Sequence, residues 1–144
     1  MPRMIFVNLP VTDVARATTF YEAIGFTKNA QFSGEHAASM QWSEAITVML
    51  LGHDFYATLT PKPIIDAHAT SGVLLALAFD DRAAVDAITE AAIAAGGREA
   101  HAAEDEGFMY SRAFEDLDGH GWDPFYMDMA AATQALGAGE QAAA

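Results

Sequence analysis

A single carboxylate, Asp123, interrupts the apolar run Gly121–Met127, "GWDPFYM". In an apolar setting a carboxyl group resists ionisation, which makes Asp123 a candidate general acid or base; a metal ligand and a hydrogen-bonded structural carboxylate are the alternatives. Pro124 biases Asp123 toward extended backbone, although a proline also removes a ladder donor and marks an edge or bulge. His120, after the Asp118-Gly119 pair, and His53, just past the fourth apolar run, stand at strand ends. From there an imidazole reaches a pocket rim as a ligand or acid–base contact, and His120 reads equally well as a turn-flanking residue. In "GFMYSRAFED", Arg112 alternates with Tyr110 and Phe114, so the three share one face. An arginine among aromatics suits a ligand carboxylate or phosphate, or else pairs with a neighbouring acid. His36, His68 and His101 lie in polar stretches and read as solvated.

These groups need a scaffold. Met4 to Val11 reads as a strand, and Asp13 caps the amphipathic stretch "VARATTFYEAIG", which Gly25 stops. Phe26 to Phe32, Ala37 to Trp42 and Ile46 to Leu51 read as three strands. After a looser segment, Gly52 to Gly72, the order returns. Val73 to Phe79 is a strand, "DD" caps the helix "RAAVDAITEAAIAAGG", and Arg98 to Ala103, Phe108 to Phe114 and Gly121 to Met127 are strands. The spacing predicts an internal βαβββ repeat. The expected layout is a first module at 1–52, a connection at 53–72, a second module at 73–128 and an Ala-rich tail at 129–144. The tail is expected as a short helix to about Leu136 with a loose end beyond. Asp118-Gly119 between apolar runs predicts a type I′ hairpin turn, with positive φ at both residues.

Composition excludes several function classes. The 144 residues carry 20 Asp+Glu against 7 Lys+Arg, a net charge of −13. Nucleic acid and anionic membranes both need clustered cations, so neither is an expected partner. With 52% hydrophobic residues the chain can bury a core. It has no cysteine, hence no thiolate site. No stretch approaches the ~18 apolar residues of a membrane span, and the opening "MPRMIFVNLP" does not read as a signal peptide. A cytoplasmic protein is expected.

Three stretches carry a family likeness. "VNLPVTDVARATTFYEAIGF" resembles the opening strand, Asp and helix of the vicinal-oxygen-chelate superfamily, which includes glyoxalase I, bleomycin-resistance proteins and extradiol dioxygenases. "FEDLDGHGWDPF" resembles its closing hairpin, and "GFMYSRAFEDLDGHGW" is similar to a bacterial glyoxalase-like subgroup. The resemblance spans roughly residues 3–128. It implies an α+β fold of two tandem βαβββ modules forming a curved-sheet cleft, a homodimer and a small organic ligand. It also implies four metal-ligand positions, occupied here by Phe6, Met49, Leu74 and Asp123. Only Asp123 is a hard ligand, so no resident metal or other cofactor is expected. Asn8, two residues from Phe6, suits hydrogen bonding better than ligation. Phe125 joins Phe6, Met49 and Leu74 as expected apolar lining beside Asp123. The expected function is ligand binding in an apolar cleft. The alternatives are a metal-dependent lyase, isomerase or dioxygenase, and a metal-free enzyme using Asp123.

Overall fold

The computed structural model describes residues 3–135. Its elements run β1 (Ile5–Val11), α1 (Val14–Ala23), β2 (Thr27–Lys28), β3 (Ala37–Gln41), β4 (Ile46–Gly52), α2 (His53–Ala57), β5 (Leu74–Phe79), α3 (Arg82–Ala94), β6 (Arg98–Asp105), β7 (Met109–Glu115) and β8 (Gly121–Met127). Asp13 and Asp81 cap α1 and α3, their carboxylates accepting from Arg16 N and Ala84 N, which satisfies backbone donors that a helix start leaves open. The strands form two four-stranded sheets, ordered β1-β4-β3-β2 and β5-β8-β7-β6. This is the α+β fold of two tandem βαβββ modules. In each sheet the opening strand lies parallel to the last, β1 to β4 and β5 to β8. Parallel neighbours need a crossover, and in each module that crossover carries the helix over one face of the sheet.

The two helix-covered faces meet in one core. Phe20 lies 6.5 Å from Phe114, Tyr21 5.9 Å and Phe26 5.7 Å from Trp122, and Trp42 5.9 Å from Phe79, all across the two modules. Alternation along the strands then fixes the opposite face. Leu9 and Val11 are buried while Phe6 and Asn8 point out; Trp122 and Pro124 are buried while Asp123 and Phe125 face the other way. The modules of one chain therefore pack back to back, and each concave sheet face opens outward.

Three local expectations change. The run Phe26–Phe32 is only briefly a strand: β2 ends at Lys28 and Ala30–Phe32 form a 3-10 turn capped by the Asn29 side chain. The connection contains a helix, α2. The Asp118-Gly119 turn is not type I′, since Gly119 has φ +89° and no non-glycine residue described has positive φ. The Asp116 carboxylate instead accepts from Asp118 N, an Asx turn that leaves the left-handed position to glycine alone. Residues 129–135 are helical, with Ala132 buried; the rest of the expected tail lies outside the described residues. No helix among these is long and apolar enough to cross a membrane.

Candidate functional site

The outer face of the second sheet holds a hollow of about 350 Å³, lined by Ala76, His101, Glu104, Met109, Ser111, Arg112, Asp123, Phe125 and Met127. Irregular strands shape it. The β6–β7 register shifts between Glu99 and His101 and again before Glu104. The β7–β8 pairing runs to Ser111–Phe125 and resumes only at Phe114–Trp122, skipping Pro124, which has no N–H to give. Bulges and a missing ladder bond bend a sheet, and here they do so around Asp123. Pro124 thus interrupts a central strand and does not mark an edge.

Asp123 is half-buried. Burial pushes its carboxyl above the usual carboxylate range; the nearby His101 opposes the shift and Glu104 adds to it. No hydrogen bond to Asp123 occurs among the described residues, so it is not the hydrogen-bonded structural carboxylate that sequence also allowed. His101, which sequence alone reads as solvated, belongs to this hollow. Strand alternation could not find it, because the two bulges reset the parity of β6.

The outer face of the first sheet holds a second hollow, about 360 Å³, lined by Met4, Phe6, Asn8, Asn29, Phe32, Ser39, Gln41, Thr47 and Met49. Phe6, Asn8 and Met49 come together here as expected neighbours, in a surface without a formal charge. They do not meet Asp123 or Phe125, which lie on the other sheet. Leu74 stands at the β5 edge, 65% exposed, and borders a third cavity shared with Gly121 and Asp123.

Arg112 and Tyr110 do share a face, but it is the helix-covered one. Arg112 donates from Nε and Nη2 to Glu99 Oε2, at 3.0 and 2.6 Å. Its Nη1 reaches Asp86 at 3.1 Å and Glu90 at 2.8 Å. Burial works against its charge, and the carboxylates of Glu99, Glu90 and Asp86 outweigh that cost and raise its pKa. The Tyr110 hydroxyl donates to Asp86 at 2.6 Å. Both side chains are committed to structure, and neither offers a ligand donor. Arg112→Ala is expected to leave three carboxylates facing one another across α3 and β6. Because those partners are largely exposed, screening limits the loss to about 1–2 kcal/mol, and 0.5 M salt should shrink it in a urea titration.

His120 is likewise structural. It is buried, and its Nε2 lies 2.7 Å from Pro10 O; a carbonyl only accepts, so Nε2 carries the proton. His53 lies on a separate cavity with Asp66, His68, Asp118 and His120. The turn holds a group that sequence reading missed. Buried Asp116 accepts from the Tyr21 hydroxyl at 2.5 Å and from Asp118 N and His120 N at 2.9 Å each. Trp122 Nε1 donates to the Tyr21 oxygen at 3.0 Å, and Asp118 Oδ1 accepts from Thr12 N and Oγ1 at 2.9 Å. The closing hairpin is thereby tied to β1 and α1 of the other module.

The metal that the resemblance implies does not fit these residues. Of the four positions only Asp123 offers oxygen, and Phe6 and Met49 lie on a different sheet face from Leu74 and Asp123. No group of three or more His, Asp or Glu residues among those described is placed to hold a metal ion.

Residues 3–41, from β1 through β3, match the family model for the bleomycin resistance protein-like N-terminal region. No curated protein matches the chain. A hypothetical protein from S. aureus has the same fold, with a TM-score of 0.74 at 23% identity over 88% of this chain and 94% of that one. A glyoxalase/bleomycin resistance protein/dioxygenase family enzyme from Burkholderia phytofirmans PsJN gives 0.72 at 18% identity over 88% and 99%. A glyoxalase-related enzyme from Fulvimarina pelagi gives 0.72 at 17% over 88% of each chain. The family match covers residues 3–41 alone, and the solved structures show that the rest of the chain shares their fold.

Proposed function

We propose that this protein binds a small organic ligand in a cleft that two copies complete, without a resident metal. The carrying observation is the back-to-back packing of the modules, which leaves two unlike concave hollows facing solvent in one chain. Phe6 is 55%, Phe32 64% and Leu74 65% exposed around these faces, and grouped exposed apolar side chains mark a binding surface. A second copy, turned so that its first sheet faces this chain's second, sets Phe6, Asn8 and Met49 across from Asp123 and Phe125. The cleft is then apolar on one side and carboxylate-bearing on the other. The glyoxalase and bleomycin-resistance names borne by proteins of this fold support a small organic ligand; the donor set here supports binding without a metal anchor.

Light scattering after gel filtration is expected to give twice the 15.3 kDa chain mass. Phe6→Glu, which puts a charge into the buried seam, is expected to give monomer with an unchanged circular dichroism spectrum. Wild-type monomer at micromolar concentration would remove the two-copy cleft. Titration with nickel, zinc and manganese tests the other half: stoichiometric uptake that Asp123→Asn abolishes would overturn the metal-free reading.

A further inference from the structure

The charge pattern of the second hollow goes one step further, resting on the ligand-binding cleft proposed above. Asp123 and Glu104 sit in a cup walled by Met109, Phe125, Met127 and Ala76. A carboxylate on such a wall needs a positive partner, since a charge removed from water is costly unless paired. The second module has three cations, and all three are taken. Arg82 bonds Asp105 at 2.6 Å and Gly107 O at 3.1 Å. Arg98 pairs with Glu115 at 3.1 Å, and Arg112 is enclosed by Asp86, Glu90 and Glu99. The hollow on the first sheet has no charged residue in its lining, so a second copy would desolvate Asp123 further without neutralising it. Arg112 also borders the cup but is held by those three carboxylates, which leaves His101 as the other basic group there. Its Nδ1 is 3.0 Å from Ala102 O and 3.9 Å from Glu104 Oε1, so it faces Glu104.

We infer that the missing positive charge belongs to the ligand: the cleft takes an organic ammonium compound, with Asp123 as its ion-pair partner and Phe125 and the two methionines against its apolar body. Phe125 adds a ring face for the cation, and the thioethers adapt to irregular apolar shapes. A carboxylate or phosphate ligand meets two like charges and no free arginine here.

Three probes of similar size separate charge from shape: 2-phenylethylamine, 2-phenylethanol and phenylacetate. Each is titrated at pH 7.5 into the full chain, with amide shifts followed by NMR. The amine is expected to saturate shifts along residues 101–127 and to bind at least tenfold tighter than the alcohol, with phenylacetate weakest. Asp123→Asn, which removes charge but no hydrogen bond the fold uses, should erase the amine's advantage over the alcohol. Equal binding of amine and alcohol, tighter binding of phenylacetate, or an amine preference that survives Asp123→Asn would overturn the ammonium assignment while leaving the cleft standing. Saturation by none of the three would overturn both the cleft reading and the assignment. An unchanged melting temperature for Asp123→Asn confirms that the comparison concerns the site and not folding.

Discussion

Replacing Asp116 with alanine is expected to lower stability by about 3–4 kcal/mol, or the melting temperature by about 10 °C for a chain of this size. Two effects oppose each other at this carboxylate. Burial disfavours its charge and raises its pKa, and His120, the Tyr21 hydroxyl and two backbone amides offset that only in part. On that ground alone, removal would look harmless. Removal, however, orphans the Tyr21 hydroxyl and the amides of Asp118 and His120, and an unpartnered buried donor costs about 1–3 kcal/mol each. The second effect wins because three donors converge on one side chain. Tyr21→Phe removes a single hydroxyl and is expected to cost about half as much. The Tyr21→Phe/Asp116→Ala cycle should be clearly non-additive, because the two groups share a bond. A chemical-denaturation loss below about 1 kcal/mol for Asp116→Ala would sink the latch.

The same carboxyl gives a pH signature. A raised folded-state pKa means that Asp116's contribution is fully present below its unfolded value, near 3.8, and is lost as pH rises through the folded value. Asp116→Asn has no such titration. Its deficit relative to wild type should therefore be larger at pH 4 than at pH 7, while the other acids cancel in the comparison. A deficit independent of pH would show that Asp116 is not perturbed by burial.

Sequence conveyed the scaffold well because its signals are local. Asp13 and Asp81 announce their helices by side-chain capping within three residues, and the order of strand, Asp and helix recurs once. The candidate site was harder to read. Tyr110 and Arg112 share a face as alternation requires, yet alternation does not say which face the helices cover. The burial of His120 depends on Pro10, 110 positions earlier. The role of Asp116 depends on Tyr21, 95 positions earlier. His101 was lost to bulges, which no period-two pattern registers. Asp123 stands out in the sequence because a carboxylate in an apolar run violates a local rule, and such violations gather at functional positions.

Gly119→Ala is expected to be nearly as damaging as Asp116→Ala, and a second glycine shows why. Gly119 has φ +89° and Gly107 φ +82°, so a Cβ at either position incurs the same left-handed penalty of about 1–2 kcal/mol. Their surroundings differ. At Gly107 an added Cβ meets nothing within 4 Å. At Gly119 it would stand 2.7 Å from the Ala67 carbonyl carbon and the His68 nitrogen, and 2.8 Å from His68 Nδ1. Two of those atoms are backbone, so the connecting segment must move bodily or the turn must open. Opening the turn strains the Gly119 N–H bond to Asp116 O, 3.1 Å long, beside the carboxylate that ties the two modules. Gly107→Ala should therefore cost about 1 kcal/mol and Gly119→Ala about 3 kcal/mol, with amide exchange accelerated at residues 66–69 in the second variant alone. Equal losses for the two would mean that backbone conformation governs both sites. The connecting segment would then rest on the hairpin without bracing it.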